Sequence, residues 1–268
     1  MTITSFTNQK VKHIRKLEHK KYRQETGLFF VEGLRTVGEA VQTGAAIKAL
    51  VFAPALLVSK FGRTQLDQSK VQDVSQIEVS KDIFEKIAHK QGSGGIGAVV
   101  QQRWQSLNAV QVTRQDLWVA LDAVADPGNL GTIMRTADAV GCRGLILLGH
   151  STDPHDPTAV KASMGAIFSQ ALIQAEWKAL RKWLLNNNLT MVGTSDSALL
   201  DYQTLDYQRP LVLLMGSERH GLNEDMQAAC DHMVQIPMTG RSDSLNLAAA
   251  TAVMLYEIYN QSRNRKEN

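Results

Sequence analysis

The chain has 268 residues, 44% of them hydrophobic and 21% charged, with a formal net charge of +3. That length favours two domains, and the apolar share describes a folded protein with a core rather than a disordered chain. No stretch approaches the roughly 18 uninterrupted apolar residues of a membrane span, and the first residues lack the apolar core of a secretory leader, so neither membrane insertion nor export is expected. Cys142 and Cys230 stand far apart with no CxxC partner, which argues against a zinc ribbon, a redox motif or a disulfide framework and makes a reducing cytoplasm the expected compartment.

The charge is unevenly spread. Residues 1–105 hold 16 Lys and Arg against 9 Asp and Glu, whereas the remainder holds 13 against 17. Residues 8–24 read as a helix that carries Lys10, Lys12, Arg15 and Lys16. A basic segment of this kind attracts a polyanion, because each neutralised phosphate releases condensed counterions. The plain alternative is a solvated helix face. Only Phe6 and Tyr22 are aromatic within the first 25 residues, so no stacking platform is indicated there. A short apolar stretch at 28–31 follows, then a segment with Leu34, Val37, Ala40 and Val41 at helical spacing and Arg35 near its start. Short strands at 49–52 and 98–100 flank helical material around 55–62 and 80–90. Residues 92–97 match the spacing GxGxxG, but a strand follows where a dinucleotide site needs a helix. A flexible loop is the better reading. Residues 1–105 form the expected first domain and 106–116 a linker.

The second region, 117–262, alternates apolar strands with helices. Strands are expected at 117–121, 144–148, 190–194, 210–215 and 233–237. Helices are expected at 130–140, closed by Gly141 in a left-handed cap, after Asp156-Pro157, and at 175–187, 223–230 and 244–260. This is the pattern of an α/β parallel sheet with helices on both faces, in which ligands bind beyond the C-terminal strand ends. The loops after residues 123, 215 and 237 are where chemistry belongs. The segment His150-Ser-Thr-Asp-Pro-His-Asp156 is rich in metal-ligand types, but its spacing matches no common site; a polar loop is expected, and no metal.

The three loops carry the motifs NxGxxxRxA over residues 129–137, GSExxGL over 216–222 and IPMxGxxxSLN over 236–246. Here the sequence resembles the SpoU/TrmH family of S-adenosylmethionine-dependent RNA ribose 2′-O-methyltransferases, within the SPOUT superfamily. The stretch around 27–35 resembles that family's substrate-binding domain, which is itself similar to a small ribosomal protein. One departure is the loop 91–97, where many relatives have a proline and a single glycine.

The resemblance implies a C-terminal domain with a deep trefoil knot, a topology that periodicity alone would never suggest. It places the cofactor at the crossing loops. Backbone groups near Gly216, Ile236 and Leu245 would contact it, Met215, Ile236 and Met238 would wall the adenine, and Thr194, Ser217, Gly221 and Asn246 would complete the set. Gly216, Gly221 and Gly240 would let backbone segments pass closely. Plain core packing is the alternative for the apolar residues. Arg135 stands at the family's catalytic arginine. A guanidinium is an awkward base, so a role in holding a phosphate and stabilising the forming alkoxide is preferred. If Asn129 lies in the loop, its side chain and that of Arg135 could converge, with Asn129 and Glu218 orienting the guanidinium. Ser244 and Asn246 would fix the ribose or the methionine end of the cofactor; the alternative for Ser244 is a helix N-cap, and for Glu218 an ion-paired surface residue. RNA would meet Lys10, Lys12, Arg15, Lys16 and Arg35. Relatives dimerise through the knotted domain, and Leu247, Val253, Leu255 and Tyr256 offer an apolar stripe on the final helix. The expected substrate is 23S-type ribosomal RNA. Transfer RNA, and a non-catalytic RNA-binding role for the same fold, stay open at this point.

Overall fold

The computed structural model describes residues 2–71, 74–88, 94–241 and 244–267, and the side chains among them apart from 68–71 and 266–267. The chain divides into two compact units. The first is Met1–Gln102 with Asp153–Ser169, and the second is Arg103–Thr152 with Gln170–Asn268. The boundaries therefore differ from the expected division. Residues 107–112 are no free linker, because Leu107 is buried and Val110 and Val112 pack against the core of the second unit. In the other direction, residues 153–169 leave the second region and fold with the first.

In chain order the first unit contains α1 (Gln9–Lys16), α2 (Lys20–Thr26), β1 (Leu28–Glu32), α3 (Leu34–Gln42), β2 (Ile47–Phe52), α4 (Lys60–Val71), β3 (Ser75–Glu78), α5 (Lys81–Ile87) and β4 (Ile96–Gln101). Its four-stranded sheet has the order β1-β4-β2-β3. β4 pairs antiparallel with β1 and β2, and β2 pairs parallel with β3. β3 escapes a reading for alternating apolar residues because only Ile77 among its four faces the core. α4 begins later than expected. Gly94 and Gly95 both take positive φ and lead directly into β4, so the glycine run feeds a strand as anticipated; residues 91–93 of that run lie outside the described residues.

The expected helix 8–24 is two helices. α1 buries Val11 and Ile14, and the break after Leu17 has a polar reason. The Arg23 guanidinium, 1% exposed, donates from Nη1 to the Leu17 carbonyl at 3.0 Å and the Glu18 carbonyl at 2.7 Å, groups that a continuous helix would have used internally. Its Nη2 lies 2.7 Å from Asp153 Oδ2 and 3.5 Å from Asp156 Oδ2. This explains the polar loop at 150–156. The Asp153 carboxylate also accepts the His155 backbone N–H at 2.9 Å, and the His155 ring packs edge-on to Phe29. Burial alone would push the Asp153 carboxyl up; bonds from His155 and the Arg23 guanidinium outweigh it and hold it at about 2. Asp156 then caps α7 (Pro157–Ser163), accepting from the Thr158 N–H, as the Asp-Pro pair signalled.

The second unit holds β5 (Leu117–Asp122), α6 (Pro127–Ala139), β6 (Gly144–Leu148), β7 (Ala171–Ala175), α8 (Trp177–Asn187), β8 (Thr190–Thr194), β9 (Leu200–Asp201), β10 (Leu211–Met215), α9 (Glu224–Ala228), β11 (His232–Gln235) and α10 (Leu247–Glu267). Its seven strands run in the order β7-β6-β5-β10-β8-β11-β9, and the pairings are parallel. β6 and β10 are buried along their whole length, as a sheet covered on both faces requires. α6 ends at Gly141 with φ +72, the left-handed turn expected there. α10 packs on α6. Leu247 and Leu255 are buried, at 8% and 0% exposure, so they leave the expected outer stripe; Val253 is half-buried and Tyr256 stays outside.

Candidate active site

The C-terminal ends of β5, β10 and β11 bring the three motif loops to one edge of the second unit, and the polar contacts there begin at α6. Asp126 is its N-cap and accepts the Asn129 N–H at 2.6 Å, with Pro127 at the first helical position. The helix thus starts three residues before the expected Leu130, and Asn129 sits in its first turn instead of in the loop. That changes the geometry of the first motif. Six residues of helix carry Arg135 about 240° around the axis from Asn129, so the two side chains diverge. Arg135 is exposed, and neither Asn129 nor Glu218 bonds to it; among the described residues it makes no hydrogen bond or ion pair.

Glu218 and Asn129 meet each other instead. The Glu218 carboxylate accepts from Asn129 Nδ2 at 3.2 Å, from the Ala125 N–H at 3.2 Å and from the Asp126 N–H at 3.5 Å. Partial burial pushes its carboxyl up, but the backbone N–H groups and the Asn129 amide outweigh this and hold it below the usual glutamate range. Asn129 Oδ1 in turn accepts from Asn246 Nδ2 at 2.9 Å. Asn246 Oδ1 accepts the Ala248 N–H at 2.9 Å and the Ala249 N–H at 3.3 Å. Asn246, and not Ser244, therefore caps α10. One chain of side chains, Glu218–Asn129–Asn246, ties all three motifs together.

Gly216 shows why the second motif needs glycine. A Cβ there would lie 2.2 Å from the Gly221 carbonyl carbon, inside a turn closed by the Ser217 and Gly221 backbones at 3.2 and 3.0 Å. Gly221 itself takes φ +61. Met215 is buried at 2%, its sulfur 3.5 Å from the Thr194 hydroxyl, and Ile236 is half-buried. Met238 and Leu245 are each 39% exposed, an unusual state for large apolar side chains on a polar loop. A Cβ on Gly221 or Gly240 would meet nothing within 4 Å among the described residues, so of the three glycines expected to allow a close backbone approach only Gly216 does. Exposed apolar side chains beside open space suit a flat apolar group such as an adenine, and the residues present fit a nucleoside cofactor on these loops. Ser244 is exposed. Arg219 and Arg241, also exposed, occupy variable positions of the motifs and so drew no notice in the sequence; the Asp126-Pro127 pair is a helix-start signal that the expected start at Leu130 passed over. The basic residues Lys10, Lys12, Arg15, Lys16 and Arg35 are all exposed in the first unit.

A parallel α/β unit with three glycine-containing loops joined at its strand ends places a ligand site at that edge of the sheet. Comparison with known proteins makes this specific. Residues 116–256 match the SpoU rRNA Methylase family, and residues 8–98 match the MRM3-like substrate binding domain. The chain belongs to the SpoU rRNA methylase family. It is 32% identical over 253 residues to a 23S rRNA (uridine(2479)-2′-O)-methyltransferase of Streptomyces viridochromogenes, covering 91% of this chain and 87% of that one. The crystal structure of an AdoMet-bound rRNA methyltransferase from Sinorhizobium meliloti superposes with a TM-score of 0.90 at 36% identity, covering 97% of each chain. The AdoMet complex of the SpoU methyltransferase AviRb from S. viridochromogenes gives 0.87 at 30% identity, covering 96% of this chain and 98% of that one.

Proposed function

We propose that this chain transfers a methyl group from S-adenosylmethionine to a ribose 2′-hydroxyl of ribosomal RNA, most specifically of the 23S type. The observation that carries this reading is the Glu218–Asn129–Asn246 chain, which holds three separate motif segments in one place. Bound S-adenosylmethionine supplies an electrophilic methyl group on a sulfonium. The work left to the protein is to position the ribose hydroxyl, favour its proton loss and exclude water. Met238, Leu245 and Ile236 hold the adenine, with Met215 and Thr194 behind them and Ser217 and the glycines Gly216 and Gly221 leaving room for its backbone contacts. Glu218 and Asn246 act by fixing the loops. Arg135, with no hydrogen bond or ion pair among the described residues, holds the phosphate next to the reacting ribose and stabilises the developing alkoxide, while the exposed Ser244 hydroxyl contacts the sugar. Arg219 and Arg241 add positive charge at the same edge.

The first unit binds the RNA through its basic face, and the second does the chemistry. The trefoil knot belongs to this reading. Its support is that Asn246 lies beside Asn129 after β5, so the segment following β11 crosses the ends of β8 and β10. A homodimer through the second unit is supported by the half-buried Val253 and the 47% exposed Tyr256 on α10. The protein works where ribosomal RNA is methylated, in the cytoplasm. The test is to incubate the purified protein with S-adenosylmethionine and unmodified rRNA or tRNA, then map ribose methylation by mass spectrometry. One 2′-O-methylated nucleotide in rRNA is expected. Methylation confined to tRNA, or none with either RNA, overturns the reading.

A further inference from the structure

The first unit leaves an aromatic ring partly in solvent. Phe61, in the first turn of α4, is 44% exposed, and Val58 just before it is 79% exposed. Beneath them lies a tightly fitted floor. A Cβ at Gly38 on α3 would come within 2.7 Å of the Phe61 ring, and one at Gly62 within 2.6 Å of Leu34, so the start of α4 rests directly on α3. A Cβ at Gly94 would come within 2.8 Å of Leu34, and one at Gly95 within 2.7 Å of the Leu57 backbone nitrogen. Gly94 and Gly95 thus close this floor. Segments 33–38 and 54–64 contain Arg35, Lys60 and Arg63 and no Asp or Glu. All three cations are exposed, and among the described residues none forms an ion pair.

A partly exposed ring on segments that carry cations and no acidic residue has a clear chemical complement. Bases that are unpaired in folded RNA stack on aromatic side chains while neighbouring phosphates meet Lys or Arg. A duplex offers no free base face, so the ring would gain nothing from it. We propose that the Phe61 face, with Arg35 and Lys60, binds an unpaired nucleotide of the RNA substrate. This rests on the RNA methyltransferase reading for the identity of the partner, and on the surface alone for its chemistry.

The test uses the full-length protein and two probes, a fluorescein-labelled oligo(U) strand of about twelve nucleotides and an RNA duplex of the same length. Phe61→Ala is expected to weaken oligo(U) binding roughly five- to hundredfold and to leave duplex binding within about twofold. Phe61→Trp keeps oligo(U) affinity, and the indole fluorescence it adds over the wild type is quenched on binding. Unchanged oligo(U) affinity in Phe61→Ala, equal losses for strand and duplex, or an added indole signal in Phe61→Trp that stays unquenched with oligo(U) bound overturns the proposal. Methyl-transfer assays separate it from the enzyme reading. A wild-type protein that methylates no RNA defeats the latter, whereas normal methylation with an unchanged RNA KM in Phe61→Ala defeats only the stacking site.

Discussion

Two polar networks join distant segments of this chain, one in each compact unit, and they differ in their access to water. In the first, the Arg23 guanidinium is 1% exposed and the Asp153 side chain 10% exposed. In the second, Glu218, Asn129 and Asn246 link three loops at the surface. A buried charge pair is costly to break, because the surviving partner stays in a poor solvent. Exposed hydrogen bonds add little net stability, since water replaces either partner. The comparison teaches that the first network holds structure, whereas the second sets geometry and can be altered without unfolding the protein.

The largest expected effect breaks the chemistry alone. Arg135→Ala is expected to lower kcat by about 10²- to 10³-fold while S-adenosylmethionine affinity stays within a few-fold, as an exposed group outside both networks should. Calorimetric titration beside a methyl-transfer assay checks this, and equal loss of cofactor binding would assign Arg135 a different role. Next in size, Asp153→Ala is expected to cost about 3–5 kcal/mol of stability, read from urea unfolding, by stranding Arg23. The pH dependence follows from the same pair. The Asp153 carboxyl titrates at about 2 in the folded chain, below its ordinary value, so its stabilisation is complete above the ordinary range and fades as pH falls toward 2. Unfolding midpoints that ignore pH between 5 and 2.5 would count against this.

A smaller effect is expected in the exposed network. Glu218→Gln should change stability by less than about 1 kcal/mol but lower kcat/KM by roughly tenfold, because one carboxylate no longer gathers three donors. A stability loss as large as that of Asp153→Ala would erase the contrast between the two networks. The smallest effect concerns the basic face. Neutralising Lys10, Lys12, Arg15 and Lys16 should flatten the plot of log RNA affinity against log salt by up to about 0.9 per lost phosphate contact. Cofactor affinity should not move. A salt slope equal to the wild type, measured by filter binding, would make these residues a solvated helix face only. Removing residues 1–105 is a poor substitute for any of these tests, since it strips residues 153–169 of the unit they fold with.

The sequence by itself determined the α/β class and the three motif loops, because apolar strands covered on both faces and glycine turns are local signals. It also located the helix start at Asp156-Pro157, and the charge contrast between the two halves required no fold at all. Tertiary structure decided what depends on contacts between remote residues. The division of residues 8–24 into two helices follows from Arg23 reaching carboxylates 130 and 133 positions away. The transfer of 153–169 to the first unit follows from the same pair. Leu247 and Leu255 share the period of an outward stripe, yet their burial could not be read from spacing. Asn129 turned toward Glu218 and Asn246, and away from Arg135, because a helix that begins at Pro127 fixes where its sixth following residue points.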